Sequence, residues 1–147
     1  MTFSGLTSGT IMAHIHCCLP SPFATGVNVG VATTVPAFPG FPLGVTSGTY
    51  SSVVFDLTQS TIYNPAFVTL EGGLAQAEAA LIAGILSGQT YFNIHTANFP
   101  GGEIRGQLSQ TPVPAGLVLL SSALLGLGLI LRRNRSERHP MNCLARG

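Results

Sequence analysis

The chain contains no lysine, and only 7% of its 147 residues are charged. Nucleic-acid binding needs a basic face. Residues 1–111 lack one: Arg105 stands alone against Asp56, Glu71, Glu78 and Glu103, a net charge of −3. The remainder holds the other five arginines against Glu137, a net of +4, so the near-neutral total averages two unlike parts. Cysteine is scarce. Cys17 and Cys18 are adjacent, with a usual Cα spacing of about 3.8 Å, closer than ordinary disulfide geometry. Cys143 lies past a long apolar run. No disulfide framework is expected. No G-x-S-x-G elbow occurs. Cys17 and His16 are only sequence neighbours, and adjacent strand residues point apart, so a Cys/His dyad is not expected either. Gly101-Gly102-Glu103-Ile104-Arg105-Gly106 lacks the lysine and following helix of a phosphate loop. With no motif for an organic cofactor, the chain reads as a non-enzyme.

Also missing at the start is a basic n-region with a long apolar h-region. Two readings follow. In one, the protein is tail-anchored with its domain in the cytoplasm. In the other, which we prefer, the true start lies upstream and supplies a signal peptide.

What the chain does have is a conspicuous end. Ala115 to Leu131 is uncharged and is followed by Arg132, Arg133 and Arg135. A helix of 17 to 19 residues spans roughly 26–29 Å, about one hydrocarbon core. Arginines at one end predict that end on the cytoplasmic side, with everything before Pro112 outside. The expected organisation is one domain over residues 1–110, a transmembrane and sorting segment over 111–135, and a short cytoplasmic tail over 136–147.

Within the domain, residues 4–16 read as a strand with Ile11, Ala13 and Ile15 on one face and Met12, His14 and His16 on the other. Prolines and glycines punctuate residues 19–48, which read as loop with one short strand over 27–34. Residues 50–57 read as a strand, Asn64-Pro65 as a turn, and Phe67 as the start of an extended segment. Residues 74–87 carry Leu74, Ala77, Leu81, Ile82 and Ile85 at helical spacing, with Gly88 suited to the C′ position. Residues 91–95 and 104–108 read as strands joined by a turn-rich connector. The expected fold is all-β, a small antiparallel sandwich or barrel with one short helix at about 74–87, plus a single C-terminal transmembrane helix.

Two segments, Ala13–Cys18 (AHIHCC) and Tyr91–Leu108 (YFNIHTANFPGGEIRGQL), together with SGLTSG before the first, closely resemble the CHRD domain, a chordin-type domain widespread in bacterial exported proteins. The resemblance covers roughly residues 2–110. It implies an exported domain with further N-terminal strands, so that residue 4 is an early start. Val113-Pro114, the apolar span and the arginines resemble a PEP-CTERM-like sorting signal of the VPxPA variant. That resemblance implies a membrane partner and an exosortase-type processing enzyme. Residues 136–147 run beyond the point where such signals usually stop. The growth-factor partner of the animal domain is not carried over, and the extracellular ligand is left open.

Candidate chemistry centres on histidine. His14 and His16 lie two apart on one strand and so share a face; His95 ends another strand. One reading is a zinc or copper site of His14, His16 and His95, with Glu103 or Cys17 as a fourth ligand. The other has the histidines bonding strand-end backbone groups and the cysteines as small buried hydrophobes. A histidine pair on a strand is also similar to copper–zinc superoxide dismutase. Three histidines and Asp56 ahead of the tail cannot build that enzyme's paired centre. Arg105 reads as a structural partner for Glu103 or another carboxylate. Two functions therefore stand. The first is an exported, membrane-anchored or surface-sorted protein acting in binding, adhesion or extracellular matrix. The second is a metal-binding or redox protein using His14, His16 and His95.

Overall fold

A computed structural model describes residues 1–52 and 54–111. Met1–Gln110 form one compact unit. The expected transmembrane helix, the sorting residues Val113, Pro114, Arg132, Arg133 and Arg135, and the cytoplasmic tail all lie outside the described residues. Among the described residues no single helix is long and apolar enough to cross a membrane.

The strands are β1 (Thr2–Phe3), β2 (Thr10–His16), β3 (Gly48–Thr49), β4 (Tyr91–Thr96) and β5 (Ile104–Gln107). The helices are α1 (Pro65–Glu71) and α2 (Leu74–Leu86). A small antiparallel sheet pairs β1 with β3, and a three-stranded antiparallel sheet has the order β2-β4-β5. The domain is thus a small β fold with two helices.

The first expected strand is shorter than its pattern. Gly5 takes φ +74°, outside extended backbone, and pairing on β4 begins only at Thr10. Residues 27–34 contribute isolated bridges at Val31 and Thr33 rather than a strand. The expected strand over 50–57 is absent among its described residues; its place in the small sheet falls to Gly48–Thr49. Asn64-Pro65 opens a helix instead of a turn. The Asn64 side chain accepts a hydrogen bond from the Ala66 amide at 3.0 Å, and Pro65 occupies the first turn, where its missing N–H costs nothing. Phe67 is accordingly helical and buried, not extended.

Helix α2 matches its expected span, and Gly88 follows it at φ +70°. Its buried face is Ala77, Leu81 and Gly84, whereas Ile82 is exposed. The helices cover a cluster of Cys17, Ala32, Tyr63, Phe67, Ala77 and Leu81. A second cluster holds Phe3, Leu6, Ala13, Phe38, Phe41, Tyr50, Phe92 and Ile94 against one face of the larger sheet. In it the Phe41 ring meets Phe3, Tyr50 and Phe92 at centroid distances of 5.6, 5.3 and 6.0 Å. These contacts are within the range where aromatic pairs attract beyond simple burial.

Cys17 and Cys18 are joined as a disulfide, contrary to the expectation from their spacing. The peptide between them is cis, which brings the two Cα atoms to 3.0 Å. The bridge packs on α2 where that helix has no side chain. A Cβ built on Gly84 would sit 2.8 Å from Cys17 Sγ, 3.0 Å from Thr90 Cγ2 and 3.1 Å from Cys18 Sγ.

Alanine is the better helix former by about 1 kcal/mol, yet Gly84→Ala is expected to destabilise the domain by about 1–2 kcal/mol net, because overpacking outweighs propensity. Urea denaturation of the two proteins measures this; a variant as stable as the parent would show that the bridge does not press on the helix.

Candidate metal centre

Strand pairing sorts the larger sheet into two unlike faces. Ala13 pairs Ile94 and Ile15 pairs Phe92, and these rows face the aromatic cluster. The intervening rows are polar: His14 pairs Asn93, which pairs Arg105, and His16 pairs Tyr91, which pairs Gln107. Directly paired residues share a face. Met12 pairs His95, so the third imidazole lies on the same side as the first two. The alternation read from residues 11–16 therefore holds over 12–16, and the sheet extends it to β4 and β5; Ile11 departs from it, exposed at a register shift between Thr10 and Met12 instead of facing the core with Ala13 and Ile15.

On β2 and β4 the histidines, Tyr91 and Asn93 of this face are buried, whereas Arg105 on β5 is exposed. His14 is 1% exposed, His16 6%, Asn93 3% and His95 4%. It is covered by the chain between Leu19 and Gly30, held by bonds from the sheet's own side chains. Gln107 Nε2 donates to the Ala24 carbonyl, Arg105 Nη1 to Val27, and Tyr91 Oη accepts from the Val29 amide. The connector between β4 and β5 supplies the rest of the cover, with Asn93 Nδ2 donating to the Gly101 carbonyl.

Two tautomers follow from this cover. His16 Nδ1 lies 2.7 Å from the Val29 carbonyl, and His95 Nδ1 lies 2.8 Å from the Pro100 carbonyl. A carbonyl only accepts, so both Nδ1 atoms carry the proton and both Nε2 atoms present lone pairs. His16 Nε2 is buried without a hydrogen-bond partner, and so is His14 Nδ1. His95 Nε2 is 3.3 Å from Asn93 Nδ2. One ligand atom from each of the three histidines can be chosen so that all lie within 4.8 Å of one another. Their ring centroids are 4.6 Å apart for His14–His95, 4.8 Å for His14–His16 and 5.7 Å for His16–His95.

Burial favours the neutral form of His14 and His16. Burial pushes His14 down to about 4, and the charges of His95 and His16 act in the same direction. Burial also lowers His16, against the opposing pull of its bond to Val29. Neutral imidazole is the ligating form. Backbone carbonyls on the distal nitrogens are the usual means of orienting a metal-binding histidine. A metal with bonds of about 2.0–2.1 Å needs ligand nitrogens roughly 3.4 Å apart, so the rings must draw in from their present spacing.

The other two residues considered as ligands are committed elsewhere. Glu103 accepts from the Thr7 amide at 2.8 Å, from the Thr7 hydroxyl at 3.2 Å and from the Thr96 hydroxyl at 2.6 Å. These bonds hold its carboxyl below the usual range and tie the N-terminal loop to the end of β4. The sulfur of Cys17 is bonded to that of Cys18 and faces α2. Arg105 does not take its expected carboxylate partner: its guanidinium lies 4.7 Å above the Tyr91 ring, and that ring stacks on His16 at 4.8 Å. Tyr91, Asn93 and Gln107 belong to this face yet escape a reading by residue chemistry alone. The period-two spacing of Tyr91 and Asn93 with His95 in YFNIHT was the available signal for the first two.

The sequence profile of the CHRD domain family matches residues 1–108. No curated protein and no solved structure matches the chain.

Folded His14 binds a proton only near pH 4, whereas its unfolded counterpart does so near the ordinary 6.5. The unfolded state therefore binds more protons between those values, and stability falls as pH drops through that window and levels off below it. With solvent screening allowed for, the loss is about 2–3 kcal/mol. Denaturation midpoints measured with chelator from pH 7.5 to 4 should decline in the parent and less steeply in His14→Phe. Parallel profiles would show that His14 is not held neutral by the fold.

Proposed function

The chain belongs to the CHRD domain family, and we propose that its domain is a non-catalytic binding module of the cell envelope that holds one transition-metal ion through His14, His16 and His95. The observation that carries this reading is a pair of buried ring nitrogens, His14 Nδ1 and His16 Nε2, with no hydrogen-bond partner at the point where three imidazoles meet. A histidine serving only as a structural hydrogen-bonder would satisfy both nitrogens, since a buried polar atom left unpaired costs about 1–3 kcal/mol. Copper and zinc both suit an all-imidazole donor set. Of the two functions open from the sequence, metal binding has this geometric support. Adhesion or matrix binding draws its support from family membership.

The envelope location is supported by sequence: the apolar run Ala115–Leu131 followed by Arg132, Arg133 and Arg135. In this reading the domain lies outside the cytoplasm, the membrane is one partner, and an exosortase-type enzyme acting near Val113-Pro114 is another. Mass spectrometry of the mature protein from the surface fraction should find a C-terminus close to that motif. A peptide reaching Gly147 from that fraction would exclude processing.

Elemental analysis after metal loading and desalting should give one copper or zinc per chain for the parent. His95→Phe and His14→Phe should retain about tenfold less or worse, since each removes one of three ligands. A folded parent that keeps no transition metal would end the metal reading and leave ligand binding without metal.

A further inference from the structure

We propose that the three-histidine centre is a cuprous site, built for Cu(I) in preference to Zn(II); this rests on the metal-binding reading above. Charge is the first argument. The three ligands are neutral and bring no anion. The carboxylate of Glu103 is engaged by Thr7 and Thr96, and the Cys17 sulfur is closed in a disulfide. The charged side chain on the same face is Arg105, stacked on Tyr91, which is itself stacked on His16. A divalent ion here would retain its full double charge, with a guanidinium on the far side of the Tyr91 ring as the charged group of this face. The desolvation penalty of an ion scales with the square of its charge, so Zn(II) meets about four times the penalty of Cu(I).

Coordination number is the second argument. Zinc sites fill four positions, and a three-histidine zinc site completes its set with water or hydroxide, which also supplies an anion. The space beside His95 is held by Asn93, whose amide also donates to the Gly101 carbonyl. Gly102, at φ +113°, packs against this amide: a Cβ there would collide with Asn93 Nδ2 and Oδ1. Cu(I), a closed-shell monovalent ion, is satisfied by three nitrogens and needs no counter-ion. Cu(II) favours a tetragonal arrangement of four or more ligands, which this face does not provide.

The test is an anaerobic competition on the full chain in detergent. Cu(I) is supplied from a bicinchoninate complex and Zn(II) from a calibrated chelator, with both metals read by elemental analysis and the copper oxidation state by X-ray absorption edge. The expected result is one Cu(I) per chain, with Zn(II) bound about 100-fold more weakly or not at all. Asn93→Asp, nearly isosteric, adds the missing anion and should move the preference toward zinc by about tenfold or more. Zinc bound as tightly as Cu(I) by the parent would overturn the cuprous assignment while leaving the metal centre standing. An unchanged preference in a folded Asn93→Asp variant would overturn the charge argument. Retention of neither metal by the parent would remove both the assignment and the reading beneath it.

Discussion

The antiparallel register between β2 and β4 is the constraint on which the rest of the domain depends. With His14 opposite Asn93 and Ala13 opposite Ile94, one alternation sends apolar side chains to the aromatic cluster and imidazoles to the opposite side. A slip of one residue would exchange the two faces of the slipped strand. In β2 it would place His14 and His16 among the rings of Phe3, Phe38 and Phe41, away from His95 and from the Val29 carbonyl. The register is therefore specified from both faces at once. Packing selects it on one side, and on the other so do hydrogen bonds to the chain between Leu19 and Gly30.

That cover bonds much of the buried polar face, yet leaves His14 Nδ1, His16 Nε2 and Gln107 Oε1 without a partner. The segment has no regular structure of its own, so its carbonyls and amides are free to bond side chains instead of a strand. Val29 serves twice, with its carbonyl on His16 and its amide on Tyr91. Pro100 does the same for His95 from the other side. Each such bond fixes a ring orientation as well as a tautomer. His14 has no carbonyl on its Nδ1, so its ring is the one with least to hold it and the natural candidate to move when the three nitrogens draw together.

Much of this was legible from short-range pattern. The alternation in residues 12–16, the helical stripe with Gly88 after it, and the paired strands around the Asn98–Gly102 connector all report local periodicity or turn chemistry, and these features hold. The failures have a common cause in long-range contact. Residues 50–57 have strand-like composition, but Tyr50 is drawn into the aromatic cluster and Asp56 closes a local turn by accepting from Thr58 and Gln59. Asn64-Pro65 is a turn signal and a helix-start signal at once, and only the packing of Phe67 decides between them. Within the site, the three histidines could be grouped by face and strand end. The commitment of Glu103 to Thr7 could not, because it spans 96 residues, and the pairing of Cys17 with Cys18 was not legible from their spacing.

The polar face is also a poor choice if stability were its purpose. Replacing buried, incompletely bonded imidazoles with well-packed apolar side chains of similar volume is commonly neutral or stabilising. The opposite face of the same three strands shows that this chain can build such packing, with Phe92 and Ile94 only one residue away from the polar positions. Among the described residues Thr90 Oγ1 and Gln107 Oε1 are also buried without a partner, but only at His14 and His16 do unpaired atoms belong to residues whose ligand atoms converge. Departures of that kind concentrate at functional sites, where a ligand supplies the interaction that the protein withholds from itself. Here the unmet capacity is for a Lewis acid. A metal ion at the junction of the three rings would engage a nitrogen from each imidazole at once, including the His16 Nε2 left without a partner while its Nδ1 donates to the Val29 carbonyl.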